Sequence, residues 1–265
     1  MDIDIIKILT YFIIYSFLGW LLESVFKTIL EKKIVNSGFL HGPFCPIYGI
    51  GAIIMYLGLN NFSEYPILVF ILGFLILSIW EYIVGWGLEK LFNTKYWDYS
   101  KNKFNIKGRV CLMNSLFWGA LGMIFTYIIH PFIESKIAYI PRGILLYILI
   151  IVYAYLLVDA VISIIKVKNI KIKVNKIQEI GETIKEKLEN LEKLKNLEKD
   201  IKQTNIEALQ KVIDDLKLKQ NKLKFKLYRH IYRLKKAFPT MKSDIITEAL
   251  NEKIKTWKRN KKTKE

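Results

Sequence analysis

The stretch ILVFILGFLILSIWEYIVGWG, residues 67–87, decides the fold of this chain. It offers about the 20 apolar residues that a helix needs to cross the hydrocarbon core of a bilayer. One acid, Glu81, interrupts it. An ionised carboxylate without a partner costs about 3 kcal/mol or more at that depth. The stretch therefore predicts a transmembrane helix in which Glu81 is neutralised, paired or functional.

Four further apolar segments surround this one in the sequence. They are residues 5–22, 44–59, 110–132 and 143–165. The second is the shortest, and a re-entrant or buried segment is the alternative for it. The sequence thus predicts an all-α, polytopic membrane protein with about five transmembrane helices in residues 1–165, followed by a cytoplasmic helical or coiled-coil tail, residues 166–265.

The positive charge is concentrated in the tail. Residues up to 165 carry 12 basic and 10 acidic side chains, and the rest carry 29 and 14, so the net charge is +2 before that point and +15 after it. The two parts are therefore separate units in composition. The first apolar segment has no small-residue cleavage site after it, which favours an uncleaved helix over a signal peptide.

The loops between the apolar segments indicate the orientation. The loop after the first segment carries Lys32 and Lys33, the loop after the second carries no basic residue, and the loop after the third carries six. Basic residues near the ends of spans stay on the cytoplasmic side. Five spans with the N-terminus outside and the tail in the cytoplasm fit this alternation.

This orientation gathers most polar residues of the spans on the cytoplasmic side. Ionisable residues inside spans pair with one another or mark a functional site. The outer side offers only His130, Glu134 and Arg142. The candidate substrate or structural cluster on the inner side consists of Glu23, His41, Cys45, Glu81, Glu89, Asp98, Asn105, Arg109, Cys111, Asn114 and Asp159.

Glu81 has no basic neighbour in the sequence. Its partner must come from another segment, or the carboxyl group stays protonated. Arg109 is the predicted partner, and Asn114 is a neutral alternative. Arg109 could instead pair with Glu89, or it could hold an anionic headgroup or substrate, because a guanidinium group suits bidentate contact with carboxylate or phosphate.

Residues 38–49, GFLHGPFCPIYG, form a dense cluster of glycine and proline. Irregular backbone at membrane depth must be buried in protein or face water, so the cluster predicts a shaped re-entry into the membrane. His41, Cys45 and Cys111 could form a soft metal site, but packing is the favoured role of the two cysteines, and no metal or other cofactor is predicted. A single Cys45–Cys111 disulfide stays open.

The tail is helical in pattern. Apolar residues follow heptads, Ile177, Ile184 and Leu191 in one block and Leu209, Leu216 and Leu223 in another. This pattern predicts either a coiled coil between subunits, and so a homo-oligomer, or a hairpin within one chain. Basic residues at the start of the tail are predicted to face anionic lipid, which is favoured over nucleic acid. They are Lys166, Lys168, Lys171, Lys173 and Lys176.

A set of motifs carries a family resemblance. It comprises FLGW at 17–20 with Glu23, GPFCPIYG at 42–49, EY at 81–82, EKLF at 89–92, WDYS at 97–100 and NIKGRVC at 105–111. In this combination the chain resembles the putative ABC-transporter type IV family, CmpB-like permeases found mostly in Gram-positive bacteria. The resemblance covers roughly residues 10–135. Tyr96 departs from it, because many members carry a second tryptophan there.

The resemblance implies a permease component of a transport system in a bacterial cytoplasmic membrane, working with an ATP-binding subunit. The chain itself has no Walker A sequence. One alternative is a membrane-embedded enzyme that acts on a lipid-borne group at the inner leaflet, although the sequence shows no nucleophile–base pair and an enzyme is not favoured. The other alternative is an interaction protein whose spans anchor a coiled-coil tail.

Overall fold

The computed structural model describes residues 4–196 and 203–243, and the predicted tail beyond residue 243 lies outside them. Within these residues the chain is helical, without strands apart from two isolated bridges. The all-α class predicted from the sequence is thus confirmed. The helices are α1 (Ile5–Glu31), α2 (Pro46–Leu59), α3 (Pro66–Phe92), α4 (Leu112–Ile124), α5 (His130–Ile137), α6 (Arg142–Asn196) and α7 (Gln203–Ala237).

Four helical stretches are long and apolar enough to cross a membrane. They are Ile5–Glu31, Pro66–Phe92, Leu112–Ile137 and Arg142–Leu194. The predicted segment 44–59 corresponds to α2, which has 14 residues. At 1.5 Å per residue α2 is about 21 Å long, which is shorter than a hydrocarbon core of about 30 Å. A fifth crossing therefore stays a prediction.

The helix ends follow from local sequence. The Asp4 side chain accepts a hydrogen bond from the Ile6 amide and so caps α1. Pro66 stands in the first turn of α3, where its missing N–H costs nothing. Lys32 and Asn93 follow α1 and α3 with φ of 51° and 47°, so both helices end in left-handed backbone.

The span Leu112–Ile137 is composite. One π-helical stretch, Phe125–Ile129, joins α4 to α5. Pro131 is the second residue after it, and a proline in a helix lacks the N–H for the bond to the preceding turn while its ring crowds a carbonyl there. A wider π turn at this point accommodates the proline without ending the helix.

Two irregular segments return the chain to the helices that precede them. We call residues 32–45 the first return loop and residues 93–111 the second return loop. The Cys45 amide donates to the carbonyl of Ser16, so α2 begins beside the middle of α1. The Ser78 and Ser115 hydroxyl groups are 2.7 Å apart, so α4 likewise begins beside the interior of α3. Both α2 and α4 thus start well inside the length of a neighbouring helix.

Aromatic and small residues pack the helices of the membrane part. A buried cluster includes Tyr11, Tyr15 and Phe125. On α3, a Cβ atom at Gly73 would lie 3.4 Å from the Cα atom of Gly122. Such close backbone approach through small residues is how helices associate in lipid, where the hydrophobic effect gives no attraction between them.

The chain divides into two compact units. The first holds residues 4–165 together with 234–243, and the second holds the described residues of 166–233. Residues 234–243, which the sequence assigns to the tail, thus belong to the membrane unit, and we call them the strap. Leu234, Ala237 and Met241 of the strap are buried.

The second unit is a helical hairpin within one chain. Ile180, Ile184 and Leu191 of α6 pack with Ile213 of α7. The Gln220 side chain, a polar residue in the heptad pattern, donates to the carbonyl of Ile177. The heptad positions therefore bury their apolar faces against each other inside the chain.

Candidate functional site

Glu81 lies in α3 with only 5 % of its surface exposed. Three side chains donate to its carboxyl group. Tyr99 and Asn114 donate to Oε1 at 3.2 and 3.4 Å, and the Trp118 indole donates to Oε2 at 2.9 Å. All three donors are uncharged, and in the part of the chain that the structure describes no ion pair involves Glu81. The acid is therefore held by neutral donors from the second return loop and α4.

Arg109 pairs with Glu89, and the prediction that it pairs with Glu81 is wrong. Its Nε and Nη2 atoms donate to Glu89 Oε2 at 3.0 and 2.7 Å, and Nη1 donates to the Tyr82 hydroxyl at 3.0 Å. The second return loop brings Arg109 beside the last turns of α3, where Glu89 lies and Glu81 does not. The neutral alternative, Asn114, is the residue that contacts Glu81.

The Arg109 guanidinium group is committed within the protein. Burial lowers the pKa of Arg109, but hydrogen bonds and charge from Glu89 outweigh this effect and raise the pKa. Its side chain also lies over the Tyr82 ring, 5.2 Å from the centroid. The pair is an intramolecular lock in which each of the three guanidinium nitrogens donates one hydrogen bond within the protein.

Polar side chains also shape the second return loop from within. The Asp98 carboxylate accepts from the Ser100 amide and hydroxyl. The Asn105 side chain donates to the Asn102 carbonyl and accepts from the Gly108 amide. Gly108 has φ of 70°, a conformation that favours glycine. These bonds fix the loop that presents Tyr99 to Glu81.

Asp159 of α6 holds the first return loop. Its Oδ1 and Oδ2 atoms accept from the backbone amides of His41 and Gly42 at 3.0 and 2.7 Å. The Ser163 hydroxyl donates to Asp159 Oδ1 at 3.2 Å and lies 2.8 Å from His41 Nδ1. Asp159 thus satisfies two amides of irregular backbone that would otherwise lack partners at membrane depth.

Glu23 forms a smaller group on α1. Its Oε1 atom lies 2.5 Å from Lys27 Nζ, the i, i+4 pairing typical of helices. The Cys45 thiol lies 3.8 Å from Glu23 Oε2. The Tyr48 ring is close to Glu23 as well and reaches across to Trp118 at 6.5 Å between ring centroids. Tyr48 and Trp118 therefore lie between Glu23 and the Glu81 carboxyl group.

Both cysteines are buried free thiols. Cys45 contacts Glu23, and Cys111 accepts a hydrogen bond from the Asn102 side chain. Among the described residues no three His, Cys, Asp or Glu side chains are grouped to hold a metal ion. The structure therefore gives His41, Cys45 and Cys111 separate partners and does not gather them into a soft metal site.

The strap lies against both return loops. Lys95 and Lys242 exchange backbone hydrogen bonds, and the Lys242 ammonium group pairs with Asp98. Lys236 donates to the Ile34 carbonyl of the first return loop, and Lys27 of α1 donates to the Ala237 carbonyl. Burial opposes ionisation of Asp98, but hydrogen bonds from Lys242 and Ser100 outweigh it and lower the pKa of Asp98.

An aromatic cluster joins the same elements. The Tyr96 ring packs edge-on against Phe238 of the strap, with centroids 4.9 Å apart, and against Phe39 of the first return loop at 5.8 Å. Phe92 at the end of α3 completes the group. Both return loops, the end of α3 and the strap therefore meet at one end of the membrane unit.

The predicted cluster falls into separate groups. Three separate contacts join Glu81 to Asn114, Glu89 to Arg109, and Asp159 to His41. Asp98 and Asn105 instead shape the second return loop. The sequence analysis missed the residues that complete them, namely Tyr99, Trp118, Ser163 and Lys242. The available signal was the phenol of Tyr99 and the indole of Trp118, because such groups seek acceptors when buried.

The basic residues at the start of the tail lie on α6. Lys168, Lys171 and Lys176 are exposed, whereas Lys166 and Lys173 are half-buried. Val167, Ile170 and Val174 between them are buried. The helix therefore presents a basic face beside an apolar one.

Comparison with known proteins gives a family for the chain. No curated protein and no solved structure matches it. A family model, described as putative ABC-transporter type IV, matches residues 10–164, a range that covers the groups around Glu23, Glu81, Glu89 and Asp159 but neither the strap nor the basic residues at the start of the tail. Because this match takes in more than half of the 265 residues, the chain belongs to the putative ABC-transporter type IV family.

Proposed function

We propose that this protein is the permease component of an ABC-type transport system in a bacterial cytoplasmic membrane. Its family and its four apolar helices support this proposal. The chain carries no Walker A sequence, so ATP is bound by a separate subunit.

The proposal includes a topology. The chain crosses the membrane five times, with the N-terminus outside and the tail in the cytoplasm. The distribution of basic residues supports this orientation. The place of α2, which starts beside the middle of α1 and ends in contact with α3, supports counting α2 as a crossing. Residues 166–265 then form a cytoplasmic tail whose basic face lies against anionic lipid.

The observation that carries the proposal is the environment of Glu81. A carboxyl group at 5 % exposure in a membrane helix is costly unless something balances its charge. Tyr99, Asn114 and Trp118 provide hydrogen bonds but no charge. A proton or a cationic group of the solute completes the balance, and this makes Glu81 the centre of the proposed site.

The second return loop couples this centre to the cytoplasmic end. Tyr99, a residue of this loop, donates to Glu81. Burial, followed by the Glu81 charge, raises the pKa of the Tyr99 phenol, so Tyr99 remains a donor at neutral pH. A displacement of the loop removes this donor and opens the carboxyl group to the cytoplasm. The other predicted polar residues, from Glu23 to Asp159, are proposed to hold the loops around this centre.

The proposed ATP-binding partner is tested by purification. The full chain is isolated from its native membrane in a mild detergent, and the proteins that accompany it are identified by mass spectrometry. We expect an ATP-binding protein with a Walker A sequence in stoichiometric amount, and ATP hydrolysis by the complex. Isolation of the chain alone or only with copies of itself contradicts the permease proposal.

The site is tested in the same complex. Glu81→Gln keeps the size of the side chain and removes its charge, so we expect the variant to insert normally into the membrane. We expect that it does not restore the activity that is missing from a deletion strain. Glu64→Gln makes the same chemical change at an exposed position and serves as the matched control. Full activity of Glu81→Gln rejects Glu81 as the centre of the site.

Lipid analysis of the deletion strain separates transport from enzymatic action at the inner leaflet. Altered headgroup chemistry favours an enzyme, and unchanged headgroups favour the permease. Because Arg109 is engaged by Glu89 and Tyr82, an enzyme that binds a lipid phosphate through Arg109 first has to break this lock. The expected result is therefore an unchanged lipid composition.

A further inference from the structure

Two stretches of the sequence repeat one pattern at a distance of 66 residues. Residues 19–28 read GWLLESVFKT, and residues 85–94 read GWGLEKLFNT, with six identical positions. The correspondence continues without a gap to the next helix in each case. The further identical pairs are Asn36 and Asn102, Gly42 and Gly108, and Cys45 and Cys111.

The agreement exceeds what composition explains. Nine of the 27 aligned positions between residues 19–45 and 85–111 are identical. Unrelated stretches of ordinary composition share about two identities over this length. The identical residues are also of the kinds that shape backbone and polar contacts, namely glycine, tryptophan, glutamate and cysteine.

The two stretches occupy equivalent places in the fold. Each begins on a helix of 27 residues, α1 or α3. Each ends at a cysteine that stands immediately before the next helix, Cys45 before α2 and Cys111 before α4. In both, a return loop lies between the two helices. The repeated unit is therefore a long helix, a return loop and the start of a returning helix.

Backbone and packing repeat at the same interval. Gly38 and Phe104, which correspond, both have left-handed backbone, with φ of 94° and 52°. A Cβ atom at Gly49 would lie 2.6 Å from the Phe12 carbonyl oxygen, so those two residues are packed together. The residues 66 positions later are Ser115 and Ser78, whose hydroxyl groups are in contact. The register found in the sequence is thus also the register of the helix pairs.

The stretches 19–45 and 85–111 run in the same direction. Phe39 of the first return loop contacts Phe92 and Tyr96 of the stretch 85–111. Both loops therefore lie at one end of the membrane unit, and α1 and α3 both lead towards that end. Parallel repeats in membrane proteins are related by an axis along the membrane normal.

In each of the two repeated stretches, the glutamate, Glu23 or Glu89, contacts the last residues of its return loop. Glu89 binds Arg109, two residues before Cys111. Glu23 contacts the thiol of Cys45 itself. Since the next helix begins at the residue after each cysteine, both acids act on the point from which that helix starts.

We propose that residues 19–45 and 85–111 are two copies of one helix–loop unit, related by an approximate two-fold axis along the membrane normal, in which Glu23 and Glu89 do the same work. Each acid positions the end of the return loop in its own copy and so fixes where the returning helix begins. This inference does not depend on the transported solute or on the proposed function.

The two copies differ in helix length and in the residue that can bind the glutamate. α1 continues five residues past Phe26, whereas α3 ends at its counterpart, Phe92. Position 109 holds arginine, and the corresponding position 43 holds proline. The first copy therefore lacks the arginine lock and keeps its acid neutralised through Lys27.

The work of the two acids is tested by alkylation of the two thiols in native membranes. Cys45 and Cys111 are 4 % and 1 % exposed and should react slowly with N-ethylmaleimide. Each thiol is followed in the full chain with the other cysteine replaced by serine. We expect Glu23→Gln to accelerate alkylation of Cys45 alone and Glu89→Gln that of Cys111 alone, each by about tenfold, because one charge-assisted contact is lost.

Glu31→Gln, an exposed change at the end of α1, is the control and should alter neither rate. Acceleration of both thiols by one variant indicates general loosening and overturns the proposal, as does no change in either thiol. Glu23→Asp and Glu89→Asp provide the second pair of variants. They retain the charge and should restore at least part of the protection of the thiol in the same copy.

The symmetry is tested by distances between spin labels in the full chain. Val25, Ile50, Leu91 and Leu116 are exposed, and the last two correspond to the first two. Equal distances in the pairs 25/50 and 91/116 support two copies, and equal distances in the pairs 25/116 and 50/91 support the two-fold axis. A difference that exceeds the width of the distributions in either comparison overturns the corresponding part of the proposal.

Discussion

Both return loops are held by the helix that precedes them, but the first is also held by α6. Trp20 and Ser24 of α1 bind the first loop, and Asp159 and Ser163 of α6 bind it at His41 and Gly42. In the second loop, Arg109 reaches Glu89 of α3 directly. The comparison shows that two loops with a common place in the fold share their attachment to the preceding helix and differ in the additional support that each receives.

The difference has a consequence for motion. A loop held by another helix follows that helix, whereas a loop locked to its own helix pair moves with that pair. The first loop is therefore coupled to α6 as well as to α1, and the second to α3 and Glu81. The strap contacts both loops, because Lys236 donates to the Ile34 carbonyl and Lys242 pairs with Asp98.

The largest effect is expected at the local lock of the second loop. Arg109→Met leaves the Glu89 Oε2 atom without its two guanidinium donors, and breaking a largely buried pair from one side costs about 3 kcal/mol. We expect a lower free energy of unfolding in detergent, measured by titration with sodium dodecyl sulfate. Lys107→Met removes a charge two residues away and should cost much less. Equal losses in both variants contradict a specific lock.

The next effect concerns the outside support of the first loop. Asp159→Asn replaces an acceptor of two amides by a group with only one acceptor oxygen, and we expect a loss of about 2 kcal/mol. Hydrogen exchange should accelerate at His41 and Gly42 and stay unchanged in the second return loop. Acceleration in both loops means that they are not held independently.

A smaller effect is expected from a change of backbone geometry in the second copy, where Gly108 and Gly87 can be compared. Gly108→Ala puts a Cβ atom 2.3 Å from the Asp98 Oδ1 atom at a φ of 70°, and we expect a cost of about 1–2 kcal/mol. Gly87→Ala meets no atom within 4 Å and lies within a helix, so it should be neutral or stabilising. Thermal unfolding of the two variants measures the difference. A destabilised Gly87→Ala variant beside an unaffected Gly108→Ala variant shows that the loop geometry is different.

The smallest effect is expected at the strap. The Lys242 side chain is largely exposed, so its pair with Asp98 contributes about 1 kcal/mol or less. Because the pKa of Asp98 is lowered in the folded protein, the contribution is complete above the ordinary value of about 4 and is lost as the pH falls through the lowered value. The protection of the strap amides, meaning their exchange rate relative to that of an unfolded chain at the same pH, should be higher at pH 6 than at pH 3, and Lys242→Ala should reduce this difference. If Lys242→Ala shows the same dependence on pH as the unchanged protein, the pair of Lys242 with Asp98 is not the cause of that dependence.

Much of the membrane unit can be predicted from the sequence because length and apolarity alone define the long helices. Residues 67–87 and 143–165 lie inside α3 and α6. The glycine and proline cluster at 38–49 also indicates an irregular entry beside α1. Such features depend on local composition, which the sequence displays directly.

The pairing of side chains could not be predicted in the same way. Glu81 and Glu89 lie on one helix, and both are plausible partners of Arg109 until the path of the second return loop is known. The strap is harder still, because Lys242 meets Lys95 and Asp98 across more than 140 positions of sequence. Contacts of this kind depend on tertiary geometry that no local pattern records.

The late start of α2 changes the polarity at one end of the membrane unit. α2 is about 21 Å long, and the Cys45 amide before it bonds to the Ser16 carbonyl in the middle of α1, so peptide groups of the first return loop lie where a full span would present apolar side chains. Amide dipoles lower the electrostatic barrier for a polar molecule far more than lipid tails do. In the permease that we propose, a solute at this end would therefore meet a polar surface before the apolar remainder of the bilayer.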